Sequence, residues 1–300
     1  MSIYSRLTLI ALCLTGTSLP MAAQPASAPG FTVAGTAAET FVLVTGMVGG
    51  VAGFHRLERL LLARGYRVIV VDPYRLSLDS ADVTFAAMAR RVDVVLARQG
   101  VTAASVVAHS HGAGVALRLA AASPGRVSAL FLLDAGAQAA NRGPTLSASL
   151  RLVPFITRMP GGREFVRARF VRGLRENTGH REWLDAATER AYTEPMLDGI
   201  SHVVAMACRL ARADEPESLS AVLSRVHVPI TVLIGDAPHE TGAGPEELAA
   251  LEPLGALVHV EHLPGVGHFP HEEVPNELAR LLVESRGTAL DGWSRRAAQQ

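Results

Sequence analysis

The chain has no lysine, and all of its 28 basic residues are arginine. A Walker A phosphate loop, a Schiff-base enzyme and a pyridoxal-phosphate site each need a lysine amine at a fixed place, so the sequence excludes these classes. The 28 basic residues are balanced by 28 acidic residues. The charge balance therefore gives no argument for a nucleic-acid partner, and we expect none.

Long apolar runs and cysteines are also scarce. The apolar stretch Leu7–Leu14 is far shorter than the ~20 residues that span a bilayer, so no stable membrane span is expected. It follows Arg6 and precedes small residues up to Ala23, which is the layout of a secretory signal. We therefore expect export, to the periplasm or the medium, with removal of residues 1–23. Cys208 would then be the only cysteine, which leaves no internal disulfide.

Short apolar runs alternate with helical patterns along the rest of the chain. The predicted strands are Phe41–Thr45, Arg67–Val71, Ala104–Ala108, Ser128–Leu133, Ile230–Ile234 and Ala256–Val260, with at most a short earlier strand at Phe31–Val33. The predicted helices are Arg56–Arg64, Val83–Gln99, Gly112–Ala122 and Val274–Glu284. Continuous apolar runs are typical of strands buried on both faces. The pattern predicts an α/β protein with a mostly parallel central sheet and helices on both faces.

Residues 138–226 interrupt this alternation. They contain helical stretches punctuated by proline and glycine and no convincing strand, and we interpret them as a helical cap. The α/β core would then consist of residues 24–137 and 227–300. Eight arginines and two glutamates lie between Arg151 and Arg181. A solvated helix face is the ordinary explanation, and an anionic substrate or a membrane surface is the alternative.

The segment Val106–Gly114, VVAHSHGAG, predicts a strand, a sharp turn and a helix, with Ser110 at the turn. A nucleophile elbow needs small residues two positions before and after its serine, and here they are Ala108 and Gly112. The start of the helix would direct N–H groups at the reacting centre, which makes the His111 N–H a candidate oxyanion donor. Alternatively, Ser110 merely caps the helix.

A serine nucleophile needs a base, and histidine is the expected one. Among eleven histidines, His268 lies in GVGHFPHEE, between the last predicted strand and the final helix. The alternative is a surface loop, or a metal held by His268, His271 and Glu272, but no further ligands stand at a recognisable spacing. We therefore expect neither a metal nor a cofactor. His109 is too close to Ser110 in sequence to act as its base and is expected to line the pocket.

The AHSHG and GVGHFPHEE segments resemble those of the α/β-hydrolase family, whose usual elbow is GxSxG. The resemblance implies Ser110 as nucleophile, His268 as general base and a second oxyanion donor at the N–H of Met47. It also implies a cap inserted after the sixth strand, if the strand at Phe41–Thr45 is counted as the third. Thr45 departs from the histidine that many relatives carry at that position.

The triad acid is displaced from its usual position. That position is Pro238 here, which cannot serve, whereas Asp236 and Glu240 lie nearby. A second location in the family, at the end of the sixth strand, corresponds to Asp134. We favour Asp134 over Asp236, because the small residues after Asp134 leave room for the histidine. The alternative for Asp134 is a cap on the following turn.

Together these features predict an exported serine hydrolase that cleaves a carboxylic ester or other acyl substrate of the small-molecule class, of unspecified acyl-chain length, through an acyl-enzyme. A carbon–carbon bond hydrolase, an amidase and a perhydrolase use the same chemistry and stay open. A non-catalytic binding relative also stays open, because Ala108, Thr45 and the displaced acid depart from the family pattern and a fold does not imply a function.

Overall fold

The computed structural model describes residues 30–77, 80–137, 143–144, 146–240 and 242–297. The predicted signal peptide, residues 1–23, lies outside this part of the chain. The strands are β1 (Phe31–Ala34), β2 (Thr40–Val44), β3 (Arg67–Val71), β4 (Ala104–His109), β5 (Val127–Leu133), β6 (Ile230–Gly235) and β7 (Val258–Leu263). The helices are α1 (His55–Ala63), α2 (Phe85–Arg98), α3 (Gly112–Ala122), α4 (Val153–Ile156), α5 (Gly162–Glu176), α6 (Ala186–Asp198), α7 (Ile200–Leu210), α8 (Leu219–Leu223), α9 (Pro245–Ala249), α10 (Pro270–Glu273) and α11 (Pro275–Ala297).

These strands form one sheet in the order β1-β3-β2-β4-β5-β6-β7, with β1 antiparallel to β3 and the other pairs parallel. Strands β2, β4 and β6 are buried along their whole length, as expected for strands covered on both faces. The predicted α/β class is confirmed. Val44 pairs with Ala108 and Ala108 with Leu132, so the C-terminal ends of β2, β4 and β5 meet at one edge of the sheet.

Five of the six predicted strands agree with the structure to within one residue at each end. The sixth prediction is displaced, because a 3-10 helix covers Glu252–Leu257 and β7 begins only at Val258. The prediction that this strand is buried on both faces is also wrong, because Val260 of β7 is 36% exposed. This strand lies at the edge of the sheet, where one side has no neighbouring strand to bring a covering helix.

The sheet is packed on two apolar layers. Met88 and Val92 of α2 pack with α3 side chains against one face. Leu57 of α1 and Leu278 of α11 pack against the other. Full burial of one such side chain contributes about 1.5–3 kcal/mol, so the two layers hold the strand ends in fixed positions.

The interval between β5 and β6 contains α4 to α8, and its described residues include no strand. The domain bounds 138–226 stay a prediction. Three of the eight arginines from Arg151 to Arg181 pair with acidic residues of α6. The pairs are Arg163 with Asp198, Arg167 with Glu194 and Arg175 with Glu189. These three arginines are therefore ion-paired within the interval, in agreement with a solvated helix face.

A buried ion pair joins the end of this interval to the core. The Arg118 Nε of α3 lies 2.9 Å from a Glu215 carboxylate oxygen, and both side chains are 5% exposed. The same carboxylate accepts the backbone N–H groups of Phe85 and Ala86 at the start of α2. It therefore also satisfies free donors at the positive end of that helix.

Among the described residues, no helix is both long and apolar enough to cross a membrane.

Candidate active site

Ser110 stands at a strained turn between β4 and α3. Its φ of 52° lies in the left-handed region, which is rare for residues other than glycine. Its backbone N–H donates to the Leu133 carbonyl at 3.2 Å, and its own carbonyl accepts from the Ala113 N–H at 2.9 Å. The side chain is half-buried. The turn therefore has the geometry of a nucleophile elbow.

The neighbours of Ser110 are small because backbones pass close by. A Cβ at Gly112 would lie 2.7 Å from the Thr45 carbonyl oxygen and 3.0 Å from that of Val44. Ala108 has no exposed surface and pairs with Val44 on one side and Leu132 on the other. The first small position thus accepts a methyl group, whereas the second does not.

His268 and Asp134 are in direct contact. The Asp134 Oδ2 lies 2.6 Å from the His268 Nδ1, and the two side chains are 0% and 9% exposed respectively. Asp134 directly follows β5 with a φ of 45°, and its Oδ1 accepts the Gly235 N–H at 3.3 Å. The His268 backbone N–H donates to the Asn177 carbonyl at 2.8 Å. The Asp134 side chain and the His268 backbone are thus each held by a hydrogen bond with a neighbouring element.

The His268 ring lies beside the elbow, with its centroid 4.7 Å from that of His109, the residue before Ser110. Within the described residues, no hydrogen bond joins the Ser110 hydroxyl to His268. Catalytic hydrogen bonds are often long without substrate, so the missing hydrogen bond does not argue against His268 as the general base. The structure thus brings Ser110, His268 and Asp134 together at the C-terminal ends of the parallel strands.

The other acid candidates do not contact His268. The Asp236 carboxylate is exposed and accepts the Gly265 N–H at 2.5 Å, which closes the loop after β7. Glu240 is exposed, and its backbone N–H donates to the Asn177 side chain at 3.1 Å. The proposed second choice, Asp236, is therefore engaged in a turn.

Sequence reasoning missed His239. Its Nε2 lies 2.8 Å from Asp134 Oδ2, the same oxygen that contacts His268, and its Nδ1 lies 2.6 Å from the Ala237 carbonyl. No spacing rule points to His239, because its position depends on the path of the loop after β6. The only signal is that it lies within a few residues of a predicted strand end.

One group of side chains has the chemistry of a metal site. Donor atoms of Asp134, His239 and His268 all lie within 4.8 Å of one another, and zinc accepts such ligands. The alternative set weighed from the sequence, His268 with His271 and Glu272, does not form such a group among the described residues. The His271 ring instead stacks on Phe54 at 4.5 Å.

Two buried histidines support the loop that carries His268. The His109 Nε2 lies 2.7 Å from the His268 carbonyl oxygen, which can only accept, so His109 carries its proton on Nε2. Burial, with a contribution from nearby histidines, holds the pKa of His109 well below its usual value. Burial and then His268 lower the pKa of His271 to about 3. Both rings are therefore neutral at neutral pH.

Helix α6 reaches the same region through a buried carboxyl group. The Tyr192 hydroxyl donates to Glu272 Oε1 at 2.9 Å, and the Arg56 Nε lies 3.3 Å from Glu272 Oε2. Burial raises the pKa of Glu272 to about 7, against the opposing effects of the Tyr192 hydrogen bond and of Arg56. A Cβ at Gly49 would lie 2.7 Å from the Tyr192 ring. Tyr192 thus packs against the loop after β2.

The candidate oxyanion donors flank Ser110. A Cβ at Gly46 would lie 3.2 Å from the Ser110 Cβ, so the loop after β2 passes directly over the serine. Met47 follows and is half-buried against the core. His111 stands at the N-cap of α3, and burial, followed by the charge of His268, lowers its pKa. The segments that carry both backbone donors therefore adjoin Ser110.

The amino-acid sequence is similar to those of known proteins. The sequence model of the "Alpha/beta hydrolase family" matches residues 41–281. A curated protein of Cronobacter turicensis, "Putative carbamate hydrolase RutD", is 34% identical over 102 residues, 32% of this chain and 38% of that protein. The match thus spans well under half the length of that relative.

Solved structures share the fold over most of the chain. Cfl2 from Burkholderia cenocepacia has a TM-score of 0.64 at 25% identity, and the alignment covers 85% of this chain and 90% of that one. A thermophilic esterase from Thermogutta terrifontis has a TM-score of 0.63 at 20% identity, covering 88% and 96% of the two chains. At 20% identity the second likeness concerns the fold alone.

Proposed function

The chain belongs to the alpha/beta hydrolase family, and from that premise we propose that it is a serine hydrolase that cleaves a small-molecule carboxylic ester of any acyl-chain length. The observation that carries the proposal is the buried Asp134–His268 contact beside a serine at φ 52°. Serine needs a base, and the base needs an orienting acid, so these three side chains form the minimum set for acyl transfer.

In the proposed reaction, His268 accepts the Ser110 proton as the hydroxyl oxygen attacks the ester carbonyl. Asp134 holds Nδ1–H of His268, which leaves Nε2 free to face the serine, and stabilises the imidazolium that forms. The N–H groups of Met47 and His111 stabilise the tetrahedral oxyanion. His268 then protonates the leaving alcohol, and a water molecule activated by the same base hydrolyses the acyl-enzyme.

Turnover of p-nitrophenyl esters of increasing chain length tests this proposal. Ser110→Ala should remove turnover, because it removes the attacking oxygen. Ser105→Ala is a matched control, since Ser105 lies on β4, the strand that leads to Ser110, and its buried hydroxyl has no partner in the described chain. It should keep near-full activity. Equal turnover by Ser110→Ala and the wild type would contradict the proposal.

The curated similarity favours a second candidate, the hydrolysis of a carbamate. A carbamate carbonyl would be attacked by the same serine and would pass through the same oxyanion, but the acyl group would be a carbamoyl group. Aryl carbamates with the same leaving group as the esters discriminate the two. Higher kcat/KM on the carbamate series would replace the ester assignment.

We further propose that the protein is exported and that residues 138–226 form a cap that sets substrate range. Export rests on Arg6, the short apolar run after it and the small residues up to Ala23. N-terminal sequencing of protein recovered outside the cytoplasm should find a first residue close to Ala23. A cytosolic protein that keeps Met1 would contradict export.

A further inference from the structure

Large apolar side chains are exposed together in one short segment between β5 and β6. Among the described residues, eight large apolar side chains are exposed, and four of them are Leu152, Phe155, Met159 and Phe165. These four are 52–64% exposed, whereas the other four are valines on four separate elements and are at most 48% exposed. Single exposed apolar residues are ordinary, but a group of large ones marks an interaction site.

The four residues lie on adjoining elements. Leu152 and Phe155 are three positions apart on the continuous helical stretch that leads through α4, so they share one face. Met159 lies in the turn that follows, where its N–H donates to the Ile156 carbonyl at 3.0 Å. Gly162, at the start of α5, packs so closely on the same carbonyl that a Cβ would not fit. A tight turn therefore joins α4 to the helix that carries Phe165.

The same segment has an excess of positive charge. Between Leu150 and Gly173 the sequence has six arginines and one glutamate. Arg163 and Arg167 pair with acidic residues of α6. The other four are exposed and have no ion pair or hydrogen bond in the part of the chain that the structure describes: Arg151, Arg158, Arg169 and Arg172. These four arginines and the four exposed apolar residues are called the α4–α5 surface below.

We propose that the α4–α5 surface docks the protein on an anionic phospholipid surface. The apolar side chains enter the boundary of the acyl chains, and the arginines bind lipid phosphates, which guanidinium groups do through paired hydrogen bonds. Each of the four apolar residues has one of the four arginines within four positions in sequence, so both kinds of contact form side by side. The proposal concerns binding and does not rest on the chemistry proposed for Ser110.

A lipid surface suits this arrangement better than a protein partner does. The exposed apolar residues project from two elements and the turn between them, and a fluid bilayer accepts such side chains without a complementary shape. Long arginine side chains likewise reach phosphates that have no fixed positions. A cluster of basic residues beside apolar ones is typical of segments that lie at the interface of anionic membranes.

Co-sedimentation with sucrose-loaded vesicles tests the proposal. Ser110→Ala is the parent protein in every arm, so that vesicle lipid is not hydrolysed, and residues 1–29 are the same throughout. We expect the parent to bind vesicles made of equal parts of phosphatidylcholine and phosphatidylglycerol. It should bind pure phosphatidylcholine about tenfold or more weakly, because the arginines then meet no net negative charge. Added salt should weaken binding to the mixed vesicles, because it screens exposed charges.

Two double variants separate the apolar contacts from the charged ones. Phe155→Ser with Phe165→Ser should lower the partition coefficient about tenfold or more, because two apolar side chains no longer leave water. Arg158→Gln with Arg169→Gln should lower it about 25-fold, at about fivefold per arginine. Arg158→Lys with Arg169→Lys keeps both charges and should restore most of the binding.

Val94→Ser with Arg98→Gln is the matched control. Both residues are exposed and lie four positions apart on α2, as Phe165 and Arg169 do on α5. This variant should bind the mixed vesicles as the parent does. The urea unfolding midpoints of all variants should stay close to that of the parent, because every exchanged side chain is exposed.

Equal binding to the two kinds of vesicle, or no loss of binding in either double variant, would overturn the proposal. An absence of vesicle binding by the parent would also overturn it. A dimer seen by sedimentation velocity that both double variants lose, without vesicle binding, would show that a second copy of the chain covers this surface instead. An absence of ester turnover by the wild type would contradict only the proposed function, since the vesicle assay uses an inactive parent.

Discussion

Asp134 contacts His268 through one carboxylate oxygen and is held in place through the other. It has no exposed surface, and its second oxygen accepts the Gly235 N–H. A backbone φ of 45° turns it out of β5 towards the loop after β7. Such a conformation costs an aspartate about 1–3 kcal/mol, which the surrounding contacts must offset.

The role proposed for this carboxylate predicts a selective loss of rate. Asp134→Asn should lower kcat by about 10⁴, because an amide no longer selects the right imidazole tautomer or stabilises the imidazolium. KM and the unfolding midpoint should stay close to wild type, since the amide fits the same space. Steady-state kinetics and urea unfolding measure these quantities.

Asp236→Asn and Glu240→Gln are the controls for this experiment. Both carboxylates are exposed and lie away from His268, so each variant should keep near-full kcat. Near-full activity in Asp134→Asn together with a large loss in Asp236→Asn would contradict our assignment and make Asp236, after β6, the triad acid.

The sequence predicts residues of this site only where the signal is local. Ser110 and His268 stand within short motifs, and their positions follow from the chain on either side. Asp134 against Asp236 is a choice between two strand ends, which depends on how a distant loop folds. His239 stands in no motif and has only its place near a predicted strand end as a signal, because its contact with Asp134 joins residues 105 positions apart.

At the scale of elements, the elbow is set by close packing between β4, α3 and the loop after β2. The predicted bounds of α3 agree with the structure because its small residues leave few alternatives at a buried turn. The bounds of β7 were displaced, because an edge strand has a weaker apolar pattern than a central one. Apolar periodicity reports burial, so it predicts central elements better than edge elements.

Gly112→Ala should destabilise the protein by about 1–3 kcal/mol, because the new methyl group meets the Thr45 carbonyl oxygen at 2.7 Å and backbone must move. Gly125→Ala is the matched control, since a Cβ there meets nothing within 4 Å, and its effect should stay within about 0.5 kcal/mol. Urea denaturation followed by circular dichroism measures both changes. Equal stability of the two variants would argue against the packing described for the elbow.

At the scale of the whole molecule, the interval between β5 and β6 is tied to the core on several sides. Asn177 holds the backbone of His268, Tyr192 binds Glu272, and Glu215 pairs with Arg118. Removing the interval would therefore disturb the loop that carries His268. Exchange of exposed arginines such as Arg151 and Arg158 is the cleaner way to test a role in substrate range.

The buried groups beneath the site predict opposite effects of pH on stability. His271 has a folded pKa of about 3, below its unfolded value, so its contribution to the free energy of unfolding is lost as the pH falls below about 6.5. Glu272 has a folded pKa of about 7, above its unfolded value, so its contribution is full below about 4.5 and lost as the pH rises through 7.

Between pH 6.5 and 4.5, the free energy of unfolding should therefore fall less steeply in His271→Gln than in the wild type, by about 1 kcal/mol per pH unit. In Glu272→Gln the free energy of unfolding should fall more steeply than in the wild type. The variant lacks the stabilisation that protonation of Glu272 adds as the pH falls. Urea unfolding at several pH values measures both slopes. Identical slopes in all three proteins would contradict the burial described for this pair.

The most direct test of the central claim is the site of covalent labelling by a fluorophosphonate, which reacts with an activated serine and needs no knowledge of the substrate. Intact mass and peptide mapping should find one adduct per chain, on Ser110, in the wild type and in Ser105→Ala. Asp134→Asn should label far more slowly, and Ser110→Ala should not label. An unlabelled wild type, or an adduct on another residue, would contradict the assignment of Ser110 as the nucleophile.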